Sequence, residues 1–170
     1  MKLLVVIAVG LRPKDLAHAP VLRGLGDQGF VAPLDTVFPA VTCTAQASFL
    51  TGLPPSGHGA VGNGWYFRDL AQVMLWRQAN QLVHGEKLYE AAKAQFGLRT
   101  AKMFWWWNMY APSVDWSVTP RPEYHADGVK KPGLYSEPQE LHRTLQGDHG
   151  PFPLFDFWGP RAGIKSTDWI

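Results

Sequence analysis

The stretch VTCTAQASFLTGLPPSGHGAVGN, residues 41–63, combines hydroxyl-bearing, small, proline and glycine residues and ends in an asparagine. From Thr44 to Leu50 the residues are compatible with a helix about two turns long, and Gly52 can end it. Thr42 would then lie at the junction of a strand and this helix. The first N–H groups of a helix are unpaired and its dipole is positive there, so an alkoxide or a bound phosphate is stabilised at such a junction.

Two interpretations of Thr42 follow from these features. A threonine beside a short helix is commonly a cap for the helix N-terminus. Alternatively, Thr42 is aimed at a substrate, and Asn63 at the end of the same stretch donates its side-chain amide to an oxygen on which charge builds up. The residues alone leave both interpretations open.

Upstream of this stretch, the pattern predicts further regular structure. Leu3–Val9 is continuously apolar and rich in β-branched residues, which is typical of a parallel strand covered on both faces. A secretory signal is the less favoured alternative for this run, because no small-residue cleavage site follows it. KDLAHAPVLRGLGDQG is broken at Pro20 and at glycines, which predicts two short helical pieces. Residues 30–38 alternate well enough for a strand or hairpin.

Downstream, helix and strand patterns alternate. KLYEAAKAQFG predicts a helix that stops at Gly97, and RTAKMFWWW predicts a strand directly after it. If this strand continues through Trp105, Trp106 and Trp107, alternate rings face core and surface, and core packing and nucleobase stacking both stay open. The last third is rich in proline and indicates loops, except that AGIKSTDWI looks like the opening of a helix. The alternation predicts an α/β domain with a mostly parallel sheet flanked by helices.

Composition and charge exclude several classes of protein. With 170 residues and 46% hydrophobic residues, the chain is long and apolar enough for one globular domain with a real core. The net charge is only +2 and its lysines and arginines are scattered, so a nucleic acid polymer is not an expected partner. No later stretch is long enough to span a bilayer, and no membrane partner is expected. The single cysteine, Cys43, excludes an internal disulfide and fits a reducing compartment, so we expect a cytoplasmic location.

PAVTCTAQASFLTGLPPSGHGAVGN resembles the nucleophile segment of the type I phosphodiesterase and nucleotide pyrophosphatase family, within the alkaline phosphatase superfamily. That segment runs from a threonine through Thr-Gly, a proline and His-Gly to an asparagine. The matching positions are Thr42, Thr51-Gly52, Pro54 or Pro55, His58-Gly59 and Asn63. GNGWYFRDL and FWWWNMY also resemble a bacterial subgroup of this family, so the resemblance covers most of the chain.

The resemblance implies an α/β fold of the alkaline phosphatase type, with residues 1–170 as the N-terminal part of a single catalytic domain. It implies metal-dependent hydrolysis of a small-molecule phosphoric ester by two divalent metal ions, usually zinc. Thr42 is carried over as nucleophile and metal ligand, and Asn63 as a donor to a phosphate oxygen. A related phosphatase or phosphonate hydrolase, and a catalytically inert truncated fragment, are the alternatives. The oligomeric state is not predicted.

The sequence departs from the family pattern at the metal ligands. Family members normally end the first strand with an aspartate before glycine, whereas here Val9 precedes Gly10. The family's Asp-x-x-x-His motif has no counterpart in the 170 residues. The pair Asp148-His149 is either a metal-binding pair or a solvated turn, and its polar flanks favour the turn. The sequence therefore predicts a nucleophile with an incomplete metal site.

Two further residues of the stretch have alternative interpretations. His58 is expected to shape the loop rather than to bind metal. Sulfatases of the same superfamily carry a cysteine that is converted to formylglycine. Alignment on Leu-Thr-Gly places that cysteine at Thr42 rather than at Cys43, which argues against a sulfatase.

Overall fold

A computed structural model of the chain describes residues 2–170, which divide into two compact units after Asp35. In the first unit, a 3₁₀ helix spans Pro13–His18 and helix α1 spans Pro20–Gln28. Both helices begin at a proline, whose fixed φ and missing N–H cost nothing at the first helical position. The two short helical pieces predicted from the sequence are confirmed.

The predicted strand at Leu3–Val9 is wrong. Residues 2–8 form neither helix nor strand, and the side chains of Leu4 and Val9 are 86% and 90% exposed. A parallel strand needs a neighbour to pair its backbone groups and a layer on each face. The described residues of this unit offer only helices. The strand or hairpin predicted at residues 30–38 is wrong too, since the backbone there is irregular.

The second unit, Thr36–Ile170, is a mixture of helices and short strands. Its α-helices are α2 (Thr42–Thr51), α3 (Pro55–His58), α4 (Leu88–Phe96), α5 (Leu141–His149), α6 (Leu154–Phe157) and α7 (Lys165–Trp169). Short 3₁₀ turns occupy Arg68–Leu70 and Asn80–Leu82. The predicted stop of α4 at Gly97 is confirmed, with a left-handed φ of 61° that favours glycine. A helix in residues 162–170 is confirmed as α7. Within residues 2–170, no helix is both long and apolar enough to cross a membrane.

The strands form three small sheets. They are β1 (Gly64–Phe67), β2 (Gln72–Leu75), β3 (Ala101–Met103), β4 (Trp116–Pro120), β5 (Glu123–Tyr124), β6 (Lys130–Lys131) and β7 (Leu134–Glu137). Strand β3 is parallel to β4, whereas β1 with β2, β4 with β7 and β5 with β6 are antiparallel. A mixed α/β architecture is thus present, but the expected mostly parallel sheet is not confirmed. Short connections join β1 to β2 and β5 to β6, and the segment between β3 and β4 is long enough for the crossover that a parallel pair needs.

The aromatic run after β3 does not continue the strand. Phe104 and Trp107 have left-handed φ angles of 57° and 62°, so the chain turns here. Trp106 and Trp107 are consecutive, yet their side chains are only 9% and 0% exposed. The predicted alternation of rings is therefore wrong, and core packing is the role of both residues. Their hydrophobic cluster includes Cys43 and Leu50 of helix α2.

A lysine lies beside this core. The side chain of Lys102, in β3, is buried, and its Nζ donates a hydrogen bond of 2.7 Å to the carbonyl oxygen of Trp107. The same Nζ lies 5.1 Å from the ring centroid of Tyr89. Burial lowers the pKa of Lys102 from 10.5 to about 7; the charge of Lys87 lowers it further and that of Glu90 opposes the shift. Folding therefore favours the neutral amine.

This lysine makes stability depend on pH. Because the folded protein binds fewer protons at Lys102 than the unfolded chain between pH 7 and 10.5, the free energy of unfolding should rise with pH in that window. The slope for one group is at most about 1.4 kcal/mol per pH unit. Denaturant unfolding measured across this range should show the rise in the wild type and a smaller one in Lys102→Met. Parallel curves for the two proteins would contradict the assignment.

Candidate active site

Thr42 is the first residue of helix α2, and its side chain is exposed. The N-cap position is Val41, which has extended backbone angles and no side-chain hydrogen bond to the helix. Thr42 is thus not the N-cap of the helix, and the cap interpretation is wrong. Helix α2 begins two residues earlier than expected, and no strand precedes it within the described residues.

The side chain of Asn63 reaches the start of this helix. Its Oδ1 accepts a hydrogen bond of 3.0 Å from the backbone N–H of Cys43, the residue after Thr42. A backbone N–H can only donate, so the amide atom that faces it is the oxygen, and Nδ2 is directed elsewhere. Within residues 2–170, Nδ2 donates to no protein acceptor. The carbonyl of Asn63 accepts the N–H of Trp76 at 2.8 Å, which fixes the residue at the mouth of the β1–β2 hairpin.

The same peptide region is held from the other side by the turn at residues 104–107, the tryptophan turn. The indole Nε1 of Trp107 donates to the carbonyl oxygen of Cys43 at 3.0 Å. The backbone N–H of Trp106 donates to Oε1 of Gln46, one turn further along the helix, at 2.6 Å. The first turn of α2 is therefore fixed by partners that are distant in the sequence.

The thiol of Cys43 is buried, in contrast to the neighbouring hydroxyl of Thr42. Burial raises the pKa of this thiol to about 12. The thiolate is the nucleophilic form of cysteine, so a neutral, buried thiol is chemically inert here. Of these two adjacent residues, only Thr42 presents its functional group to solvent.

His58 is fully buried and uses both ring nitrogens inside the protein. Its Nδ1 accepts the N–H of Ala60 at 3.1 Å, so the neutral ring carries its proton on Nε2, which donates to Oγ of Ser48 at 2.9 Å. Burial lowers the pKa of His58 and favours this neutral form. The predicted structural role is confirmed: His58 ties the loop that leads to Asn63 onto helix α2.

The residues around Thr42 do not fit a pair of divalent metal ions. Zinc sites in proteins are built from thiolates, imidazoles and carboxylates, whereas the groups here are a carboxamide, backbone amides and a neutral thiol. Asp148 and His149 lie instead in the last turn of α5, both exposed. In the part of the chain that the structure describes, no three His, Cys, Asp or Glu residues are grouped to hold a metal ion.

Sequence reasoning missed the residues that hold the helix start in place. The composition of the tryptophan run indicated a packing or stacking role. No sequence pattern predicted the hydrogen bonds from Trp107 to Cys43 and from Trp106 to Gln46. No sequence pattern predicted that the N–H of Trp76 donates to the carbonyl of Asn63 either. These contacts depend on the turn at Phe104 and Trp107, which a strand prediction excludes.

Comparison with known proteins identifies the class. The family model described as type I phosphodiesterase / nucleotide pyrophosphatase matches residues 3–170. No solved structure matches the chain. The chain belongs to the type I phosphodiesterase / nucleotide pyrophosphatase family, which confirms the resemblance seen in the sequence. The family comprises hydrolytic enzymes that act on phosphoric esters, and it is typically metal-dependent.

The hydrogen bond between Asn63 and Cys43 can be tested by substitution. Asn63→Ala leaves the N–H of Cys43 without its acceptor, and we expect the free energy of unfolding to fall by about 1–3 kcal/mol. Asn63→Asp keeps an acceptor oxygen and should lose less. Amide hydrogen exchange at Cys43 should accelerate in Asn63→Ala and stay close to wild type in Asn63→Asp. Equal exchange in all three proteins would contradict the contact.

Proposed function

We propose that this protein hydrolyses small phosphoric esters of the nucleotide pyrophosphatase or phosphodiesterase type. Thr42 is the nucleophile, and Nδ2 of Asn63 donates to a phosphoryl oxygen. The observation that carries the proposal is the hydrogen bond from the N–H of Cys43 to Oδ1 of Asn63, because it holds the amide of Asn63 at the helix end where the hydroxyl of Thr42 is exposed. Family membership supports the reaction class.

The local electrostatics favour an anion at this point. Helix α2 is 10 residues long, and the first N–H groups of a helix lack carbonyl partners within it. The N–H of Cys43 is engaged by Oδ1 of Asn63, and the helix dipole together with Nδ2 of Asn63 favours negative charge at this point. A donor already fixed in place costs no reorganisation when charge develops on a phosphoryl oxygen.

The reaction proceeds in two displacements. Oγ1 of Thr42 forms a bond to phosphorus while the bond from phosphorus to the leaving oxygen breaks, and water later cleaves the phosphothreonine to regenerate the hydroxyl. The hydroxyl proton needs an acceptor, and within residues 2–170 no carboxylate or imidazole hydrogen-bonds to Thr42. As the family resemblance implies, we propose that residues 1–170 are the N-terminal part of a single catalytic domain.

An inert protein that keeps the fold without turnover is the second candidate. It is favoured by Val9 at the position of the family's aspartate and by the lack of a metal-ligand group among the described residues. A phosphatase or phosphonate hydrolase of the same superfamily differs from the main proposal only in the leaving group. A panel of phosphate monoesters, diesters and phosphonates separates those activities.

Hydrolysis of bis(p-nitrophenyl) phosphate with added zinc tests the proposal. In the intact catalytic domain, we expect turnover with the wild-type residue to exceed that of Thr42→Ala by roughly 1,000-fold or more, since removal of a nucleophile eliminates the covalent route. Thr42→Ser should keep measurable activity because it retains a hydroxyl. Thr144→Ala, which alters an exposed threonine in α5, is the matched control and should equal wild type. Absence of turnover in the wild type would favour the inert candidate, and undiminished turnover in Thr42→Ala would mean another nucleophile.

A further inference from the structure

A cavity lies in the Thr36–Ile170 unit, and neither Thr42 nor Asn63 lines it. Its volume is about 290 Å³, and its walls come from the end of β2, the β5–β6 hairpin and helix α6. The lining side chains that matter are those of Trp76, Tyr124, Lys130, Leu154, Phe155 and Trp158. Ligand pockets are typically this apolar, with a few polar groups that fix orientation.

The aromatic wall is built before any ligand arrives. The rings of Trp76 and Trp158 meet edge to face with centroids 5.6 Å apart, and Trp76 packs in the same way on the buried Trp106 at 5.4 Å. Leu154 is buried beside them. Trp76 and Phe155 nevertheless remain 36% and 44% exposed, so apolar ring surface faces the cavity rather than the core.

Strand alternation places one lysine of the hairpin in the cavity and its neighbour outside the lining. Tyr124 pairs with Lys130 across the two strands, and Glu123 pairs with Lys131. Successive side chains of a strand point to opposite faces, so Tyr124 and Lys130 share the cavity face. Neither lysine forms an ion pair within residues 2–170, and Oε2 of Glu123 lies 3.8 Å from Nε2 of His125. The two lysines differ in that Lys130 lines the cavity and Lys131 does not. Nζ of Lys130 lies 5.4 Å from the ring centroid of Tyr124, which holds the ammonium at the cavity.

We infer that this cavity binds a small aromatic anion, with its ring against Trp76, Phe155 and Trp158 and its negative group at Nζ of Lys130. Aromatic walls alone would also suit an organic cation, but the unpaired ammonium of Lys130 repels one. The volume accommodates one or two fused rings. This site does not depend on the nucleophile proposed at Thr42.

Isothermal titration calorimetry with naphthalenesulfonate tests the site. The wild type should bind naphthalenesulfonate and should bind neutral naphthol about 10-fold more weakly, because naphthol lacks the charged acceptor. Lys130→Met should weaken naphthalenesulfonate binding by about 10-fold, which corresponds to the loss of one charge-assisted contact. Lys131→Met, the matched control on the adjacent position, should stay within about 2-fold of wild type because Lys131 does not line the cavity.

A further variant tests the aromatic wall. Phe155→Ser removes one exposed ring and should weaken binding of naphthalenesulfonate. The affinity for naphthol should fall by the same factor, because both ligands share the ring system. Thermal unfolding of each variant confirms that it is folded. The inference is overturned if the wild type fails to bind naphthalenesulfonate, if Lys130→Met and Lys131→Met weaken it equally, or if Phe155→Ser binds it as tightly as wild type does.

Discussion

The peptide groups of Cys43 are the point on which the site depends. The N–H is accepted by Oδ1 of Asn63, and the carbonyl accepts the indole N–H of Trp107. A buried peptide group left without a partner costs about 1–3 kcal/mol, so each contact favours one arrangement of the chain. The partners lie 20 and 64 residues away in the sequence. Through them, the hairpin mouth and the tryptophan turn fix the first turn of α2, where Thr42 is exposed.

The tryptophan turn itself rests on a buried polar network. The carbonyl of Trp107 accepts from Nζ of Lys102 and from Nδ2 of Asn80, which also donates to the hydroxyl of Tyr89. A left-handed φ at a tryptophan is costly and persists when the surroundings over-determine it. These hydrogen bonds supply that support. The core below α2 is thus fixed by directional contacts as well as by apolar packing.

The exposure of Thr42 and the supply of metal ligands are separable properties of this chain. Presentation of Thr42 needs only a helix start and the Asn63 loop, and the described residues contain both. A ligand set needs carboxylates and imidazoles from several distant segments to converge, and residues 2–170 contain no such group. Family membership gives the reaction class, and the local geometry gives the exposed start of α2 beside Asn63.

The sequence by itself determined the family. It also determined the helices that have a clear start or stop residue, namely α1, which begins at Pro20, and α4, which stops at Gly97. Helical hydrogen bonds join residues four apart, so local residues decide where a helix starts and stops. Only the tertiary structure decided that Leu3–Val9 is not a strand, because a strand needs a pairing partner that no local pattern supplies. It also decided the placement of Asn63 against Cys43. The motif names Thr42 and Asn63, but only the fold of the intervening loop, held by His58, brings Asn63 within hydrogen-bond distance of the residue after Thr42.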